Sequence, residues 1–227
     1  MKGIVLLSGG LDSTLTLMKC KERGDIVQPI FVDYNQWSRD KERKASYIIC
    51  YRVRSKSPVV IRTSVEGENE VEIGSTWGRS LALVGLAAMW AYTHGNEYDY
   101  VALGLHKGDV GPDCKPGVFS SELDSVLREA TKGRLSLFLP VEDMTVEDIG
   151  KELGSWGFPF EDLYSCYWDP PCGYKSVNET YLCPGCRRKI LAMKASGSDI
   201  PLELLTIPNG GLRGRSFQSP LAEKVGY

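Results

Sequence analysis

The sequence predicts an α/β protein: a doubly wound, mostly parallel five-stranded sheet followed by a small cysteine-rich C-terminal module. Three observations predict it. Short apolar runs alternate with stretches of helical periodicity, the first run leads directly into a glycine-rich turn and a helix, and after about Tyr164 cysteines, prolines and glycines replace the alternation.

The elements follow in order. Ile4-Val5-Leu6-Leu7 is a continuous apolar run and reads as a buried strand, and Leu15, Leu17 and Met18 open an apolar helical face just after it. Further strands are expected at residues 26–32, 58–63, 98–103 and 135–139, and helices at residues 13–22, 39–53, 80–94, 122–130 and 146–154. Ser120 and Thr145 are the expected N-caps, because a hydroxyl there can accept from an unpaired N–H of the first turn. In open parallel sheets ligands lie beyond the carboxyl ends of the strands, so residues 8–13, 33–36 and 104–109 are expected to share one mouth.

Composition narrows the function classes. With 27 basic and 29 acidic side chains, net charge near −2, the chain has no sequence-independent pull toward nucleic acid, and stable nucleic-acid binding is not expected. No run of eighteen apolar residues and no secretory N-terminal pattern is found, so a soluble, cytoplasmic protein without membrane attachment is expected. Of seven cysteines, Cys166, Cys172, Cys183 and Cys186 fall within 21 residues, which in a reducing compartment suggests metal rather than disulfides. Cys20 and Cys50 lie in helical patterns and read as small core residues.

The most informative motif is Ser8-Gly9-Gly10-Leu11-Asp12-Ser13. A strand, a glycine-rich turn and a helix N-terminus make an anion cradle, because backbone N–H groups and the positive end of the helix dipole converge and glycine lets the backbone approach closely. The turn lacks the Gly-Lys-Ser/Thr ending of a Walker loop and the Gly-x-Gly-x-x-Gly spacing of a dinucleotide fold. It resembles the phosphate loop of ATP pyrophosphatases, which implies cleavage between the α and β phosphates.

Other loops supply candidate partners. Asp33-Tyr34-Asn35-Gln36, ahead of a helix carrying Glu42, could hold adenine or ribose, or Tyr34 could be a packed strand-end aromatic. In Gly78-Arg79-Ser80, an arginine at a helix start is unfavourable for the dipole unless an anion sits there, so Arg79 is either a phosphate or carboxylate ligand or a solvated side chain. In the loop from Gly104 to Asp109, His106 and Lys107 suit phosphate or developing negative charge, while Asp109 and Asp113 can accept hydrogen bonds from a purine-like ring. With two histidines there is no Ser/His/Asp or Cys/His triad, so ATP and its metal must supply most of the chemistry. The spacing Cys166-x5-Cys172-x10-Cys183-x2-Cys186 suits closed, tetrahedral structural zinc, with an iron–sulfur cluster or a redox Cys-x-x-Cys as rivals.

Taken in order, the phosphate turn, Asp33-Tyr34-x-Gln36, Gly78-Arg79, Gly104-x-His106 to Asp109 with Pro112-Asp113-Cys114, and Ser165-Cys166-Tyr167 with the cysteine cluster resemble the 7-cyano-7-deazaguanine synthase (QueC or ExsB) family over residues 2–197. The resemblance implies an adenine nucleotide alpha hydrolase-like (HUP) fold, with a nucleotide-binding domain over residues 1–160, a zinc module over 161–199 and a tail over 200–227. It also implies a ligase that adenylates the carboxylate of 7-carboxy-7-deazaguanine, forms the amide with ammonia and then the nitrile, releases AMP and pyrophosphate, serves queuosine biosynthesis and works as a homodimer.

ATP, Mg2+ and Zn2+ are the implied cofactors. Ser8, Gly9, Gly10, Leu11, Asp12, Ser13, Asp33 and Tyr34 would bind ATP; Asp12, Ser13, Arg79 and Lys107 would act in catalysis. Gln36, His106, Asp109 and Asp113 would contact the acceptor, and Cys166, Cys172, Cys183 and Cys186 would hold the zinc. The chain departs from the family pattern at Ser80, where asparagine is usual, in a tighter loop at residues 109–112, at Val146, where lysine is common, and in the ten residues between Cys172 and Cys183. Other readings are a relative that stops at the amide or passes the activated deazapurine to an amine of another molecule, a tRNA-thiolating enzyme, and a non-catalytic ATP-binding protein.

Overall fold

The computed structural model describes residues 1–63, 78–95, 97–109, 116–167 and 182–200. Its strands are β1 (Lys2–Leu6), β2 (Ile26–Asp33), β3 (Val59–Arg62), β4 (Tyr100–Ala102) and β5 (Ser136–Phe138). Between and after them run α1 (Leu11–Glu22), α2 (Arg39–Arg52), α3 (Arg79–Thr93), α4 (Val118–Ala130), α5 (Val146–Ser155), a short 3-10 turn (Phe160–Asp162) and α6 (Pro184–Ser196).

All four strand pairings are parallel, in the order β3-β2-β1-β4-β5. The chain therefore steps outward from β1 in one direction and then restarts on its other side at β4. That reversal opens a crevice at the carboxyl ends of β1 and β4.

The apolar run of β1 serves two cores because successive side chains point to opposite faces. Ile4 and Leu6 join Ile30, Val32, Val101 and Leu103 under Val84, Ala87 and Ala91 of α3 and Leu123 and Leu127 of α4. Val5 and Leu7 join Tyr100 and Ala102 under α1, α2, α5 and α6, through residues such as Leu15, Ile49, Leu153 and Met193. Cys20 and Cys50 are buried in this second core, as their helical settings suggested.

Helix ends explain where the sequence reading and the structure part. Thr145 caps α5: its hydroxyl accepts from Asp148 N–H at 3.1 Å, and the Asp148 carboxylate accepts from Thr145 N–H at 3.0 Å. These bonds from Thr145 hold the Asp148 carboxyl below its usual range. Ser120 is not an N-cap. Helix α4 begins at Val118 after Gly117, whose φ of 92° turns the chain into the helix early. Ser120 is thus the third helical residue, and its hydroxyl accepts from Gly117 N–H at 3.0 Å and donates to Glu142.

Helix α6 was not among the expected elements, since Cys183-Pro184-Gly185-Cys186 reads as a knuckle. Its signals are present in the sequence nonetheless. Pro184 stands at the first helical position, Cys183 Sγ caps Cys186 N–H, and Gly197 closes the last turn with a φ of 74°. At Gly150 of α5 a β-carbon would lie 2.2 Å from Ala192 O of α6, so only glycine allows the two backbones to touch there. This contact fixes α6 against the sheet domain and sets where its N-terminus points.

Candidate active site

The crevice at the carboxyl ends is lined from every direction. Ser8, Gly10, Leu11, Asp12 and Ser13 come from the turn after β1, Tyr34, Gln36 and Glu42 from the β2 side, and Arg79 and Ser80 from the start of α3. Gly104 and Asp109 follow β4, while Tyr164, Ser165, Tyr167, Gly185 and Arg188 come from the cysteine-rich segment.

The turn itself is fixed by backbone geometry. Gly9 has a φ of 86°, and a β-carbon on it would lie 2.8 Å from Glu42 O and Ala45 Cβ of α2. Its carbonyl accepts from Tyr164 N–H at 2.9 Å, which ties the turn to the cysteine-rich segment. At Gly104 a β-carbon would lie 2.8 Å from the backbone of Asp12, so the loop after β4 also rests on the turn. Gly10 is the N-cap of α1 and no side chain caps that helix, which leaves its first N–H groups for a ligand. The hydroxyls of Ser8 and Ser13 lie 3.1 Å apart beside them.

Asp12 is the most unusual side chain of the turn. Its Oδ1 is buried and has no hydrogen-bond partner among the described residues. Burial pushes its carboxyl above the usual range; His106 and Arg188 oppose that rise and Asp109 adds to it. A carboxylate with an unsatisfied oxygen, next to two hydroxyls and an uncapped helix start, fits a hard divalent cation such as Mg2+ carried by phosphates.

His106 is wholly buried behind Asp12. Its Nδ1 accepts from Gly108 N–H at 3.0 Å, so the neutral ring carries its proton on Nε2. Nε2 faces Asp109 Oδ1 at 3.5 Å and Asp12 Oδ1 at 4.0 Å. The same inward turn sends the next side chain outward: Lys107 is exposed and does not line the crevice. The structure does not bring Lys107 together with the other expected reacting groups: its backbone N–H donates to Met144 O at 3.0 Å and its charge lies near Asp148 of α5.

On the β2 side, Glu42 is the buried centre. Gln36 donates to its Oε2 at 3.0 Å and Ser38 to its Oε1 at 2.7 Å. Burial raises the Glu42 carboxyl, against these two bonds and the charge of Arg79. The Gln36 amide also accepts from Tyr34 N–H at 2.9 Å and donates to Val32 O at 3.3 Å, so its polar atoms all face protein groups. Tyr34 borders the crevice, bonds with Arg79, and has its hydroxyl pushed up to about 12, chiefly by burial. Asp33 does not line the crevice; its Oδ1 accepts from Asn35 N–H at 3.1 Å and closes the turn.

Arg188 is the residue that sequence reasoning missed. Its Nη1 donates to Asp109 Oδ1 at 3.2 Å and lies 3.3 Å from His106 Nε2, and its Nη2 donates to the Tyr167 hydroxyl. The Asp109 carboxylate accepts at its other oxygen from His106 N–H at 3.0 Å. The available signal was Pro184 at the helix start, which places residue 188 one turn beyond Cys183.

The Cys166, Cys183 and Cys186 sulfurs lie within 4.8 Å of one another, and Cys183 Sγ is 3.9 Å from Cys166 Sγ. A zinc tetrahedron with bonds of about 2.3 Å has sulfur–sulfur edges of about 3.8 Å, so these donors fit that ion. Cys172, the expected fourth ligand, lies outside the described residues, as do Asp113, Cys114 and the tail beyond residue 200.

Comparison with known proteins shows the family. Residues 2–197 match the family model described as queuosine biosynthesis protein QueC. A 7-cyano-7-deazaguanine synthase of Aquifex aeolicus is 29% identical over 221 residues, covering 84% of this chain and 95% of its own length. One from Persephonella marina is 29% identical over 227 residues, covering 87% and 94%.

Proposed function

The chain belongs to the QueC family, and we propose that it uses ATP to activate the carboxylate of 7-carboxy-7-deazaguanine and converts it, with ammonia, through the amide to 7-cyano-7-deazaguanine. The observation that carries this reading is the uncapped start of α1, with the unsatisfied Asp12 oxygen beside it, at the point where the strand order reverses.

In this mechanism the N–H groups of residues 10–13 and the hydroxyls of Ser8 and Ser13 hold the β and γ phosphates. Asp12 would hold Mg2+, which neutralises phosphate charge and favours departure of pyrophosphate when the acceptor carboxylate attacks the α phosphorus. Arg79, which lines the same crevice, bonds with Tyr34 and lies near the charge of Glu42, would neutralise phosphoryl charge there. Ammonia then attacks the acyl carbon and AMP leaves with the carboxylate oxygen. The amide oxygen attacks a second ATP in the same way, and loss of AMP with two N–H protons gives the nitrile. The protein's contribution is placement and charge neutralisation in a crevice that limits water. Cys166, Cys172, Cys183 and Cys186 would hold zinc in a closed, structural site.

The test is incubation of the protein with ATP, Mg2+, 7-carboxy-7-deazaguanine and ammonium, with products read by liquid chromatography and mass spectrometry. AMP, pyrophosphate and the nitrile are expected. ADP as the nucleotide product, or an unconsumed acid, contradicts the proposal. A second reading keeps the activation but ends at the amide or at a conjugate with another amine; it is favoured by the hydroxyl of Ser80 lining the crevice where the family usually carries asparagine. Consumption of the acid without nitrile would select it.

A further inference from the structure

We propose that Arg188 is an oxyanion-binding residue of the active site, delivered to it by the cysteine-held start of α6. The proposal rests on the ATP-dependent activation proposed above and adds a binding residue to it.

The position of Arg188 follows from the chain. Cys183 and Cys186 anchor the first turn of α6, their sulfurs grouped with that of Cys166, and Arg188 stands on the following turn. Its side chain enters the crevice rather than solvent and borders the same space as Asp12 and Ser13.

Its contacts are those of a positioned but unsaturated cation. A guanidinium has five N–H donors in a rigid fork. Among the described residues, Asp109 Oδ1 and the Tyr167 hydroxyl accept from it. The third neighbour, His106 Nε2 at 3.3 Å, carries the ring proton because Nδ1 is already an acceptor for Gly108 N–H, so it cannot accept from Arg188. Asp109 and Tyr167 therefore hold the fork in orientation while part of it still faces the crevice.

Charge gives that free part a task. Three carboxyl groups line the crevice; Glu42 is already bonded by Gln36 and Ser38, so an incoming phosphate or carboxylate would meet chiefly Asp12 and Asp109. Arg188 is the cation standing between them: it contacts Asp109 directly and lies close enough to Asp12 to counter the rise of its carboxyl. Planar, bidentate recognition of an oxyanion is what a held guanidinium does well and a lysine does poorly. The shared ligand chemistry is an oxyanion, either a phosphate of ATP or the carboxylate of the acceptor.

The test compares wild-type protein with Arg188→Gln and Arg188→Lys, each checked for metal content and thermal melting. Pyrophosphate release is followed as ATP and the deazapurine acid are varied separately, and ATP binding is measured by calorimetry without acid. The expected result is a loss on the order of 10²-fold or more in kcat/KM for Arg188→Gln. Metal content and melting stay at wild-type values, Arg188→Lys recovers little, and added guanidinium restores part of the rate. A loss of calorimetric ATP affinity identifies a phosphate as the ligand; a loss confined to the KM for the acid identifies the carboxylate. Rates within about twofold of wild type in Arg188→Gln, or a loss that tracks missing metal and is fully restored by Arg188→Lys, would overturn the proposal. A wild-type protein that neither binds ATP nor releases pyrophosphate would instead refute the underlying activity, so the two failures are distinguishable.

Discussion

The two sides of the crevice are built in opposite ways. The phosphate side is one contiguous stretch, residues 8–13, held by a strand end, a positive-φ glycine and a helix start. The opposite side is assembled from Arg79, Asp109, Tyr167 and Arg188, with His106 buried behind them, and these residues meet only when α3, the loop after β4 and α6 are in place. The first kind of site depends on local backbone geometry and tolerates change poorly. The second depends on how separate elements pack, and it can be reshaped by altering one loop while the first stays intact.

Substitutions on either side should separate these roles. The largest effect is expected for Asp12→Asn: pyrophosphate release should fall on the order of 10²-fold to 10³-fold with every acceptor tried, measured by a coupled pyrophosphate assay. By contrast, Ser80→Asn should leave ATP affinity unchanged and move the KM for the acid or the ratio of amide to nitrile. Equal effects of Ser80→Asn on ATP and acid would remove the distinction between the two sides.

Next in size is the cysteine cluster. Cys183→Ser removes the N-cap of α6 and a sulfur of the group, so metal content and melting temperature should both drop, with loss of activity following the metal. Gly9→Ala is smaller and lies on the phosphate side. It forces an alanine to a φ of 86° against α2 and should destabilise the fold by about 1–3 kcal/mol, read by denaturant melts, while weakening ATP binding.

The smallest effect is a pH dependence with a defined sign. The Asp12 carboxyl is raised by burial, so the folded protein binds that proton more tightly than the unfolded chain does. The associated stability is present at low pH and is lost as pH rises from the free carboxylate value through the folded one. Asp12→Asn removes this cost. The variant should melt above wild type near pH 8, and the gap should close as pH falls to about 4. A gap that widens on acidification would mean that the carboxylate is stabilised rather than strained.

How much of this was legible in the sequence follows the same division. Among the described residues, the strands, five of the six helices and the phosphate turn were readable because each is encoded by local periodicity and turn chemistry. Thr145 was readable as a cap for the same reason; Ser120 was not, because Gly117 starts α4 three residues earlier by a backbone conformation that no neighbouring residue type announces. Arg188 stayed hidden because its acceptors Asp109 and Tyr167 lie 79 and 21 residues away, and helix α6 because its first turn doubles as a cysteine knuckle. The outward direction of Lys107, away from the crevice lining, follows only from the folded loop after β4. Gln36 belongs to the crevice wall, yet its role in holding Glu42 and the Tyr34 backbone follows only from the folded contacts.

One isotope experiment reaches the centre of this mechanism. With the carboxylate oxygens of the deazapurine acid labelled, direct attack on the α phosphorus requires that each AMP released carry one oxygen from the acid, as read by mass spectrometry. Labelled AMP with unlabelled pyrophosphate is the predicted result. Unlabelled AMP, or label in inorganic phosphate beside ADP, would contradict adenylation in the crevice of Asp12 and Ser13.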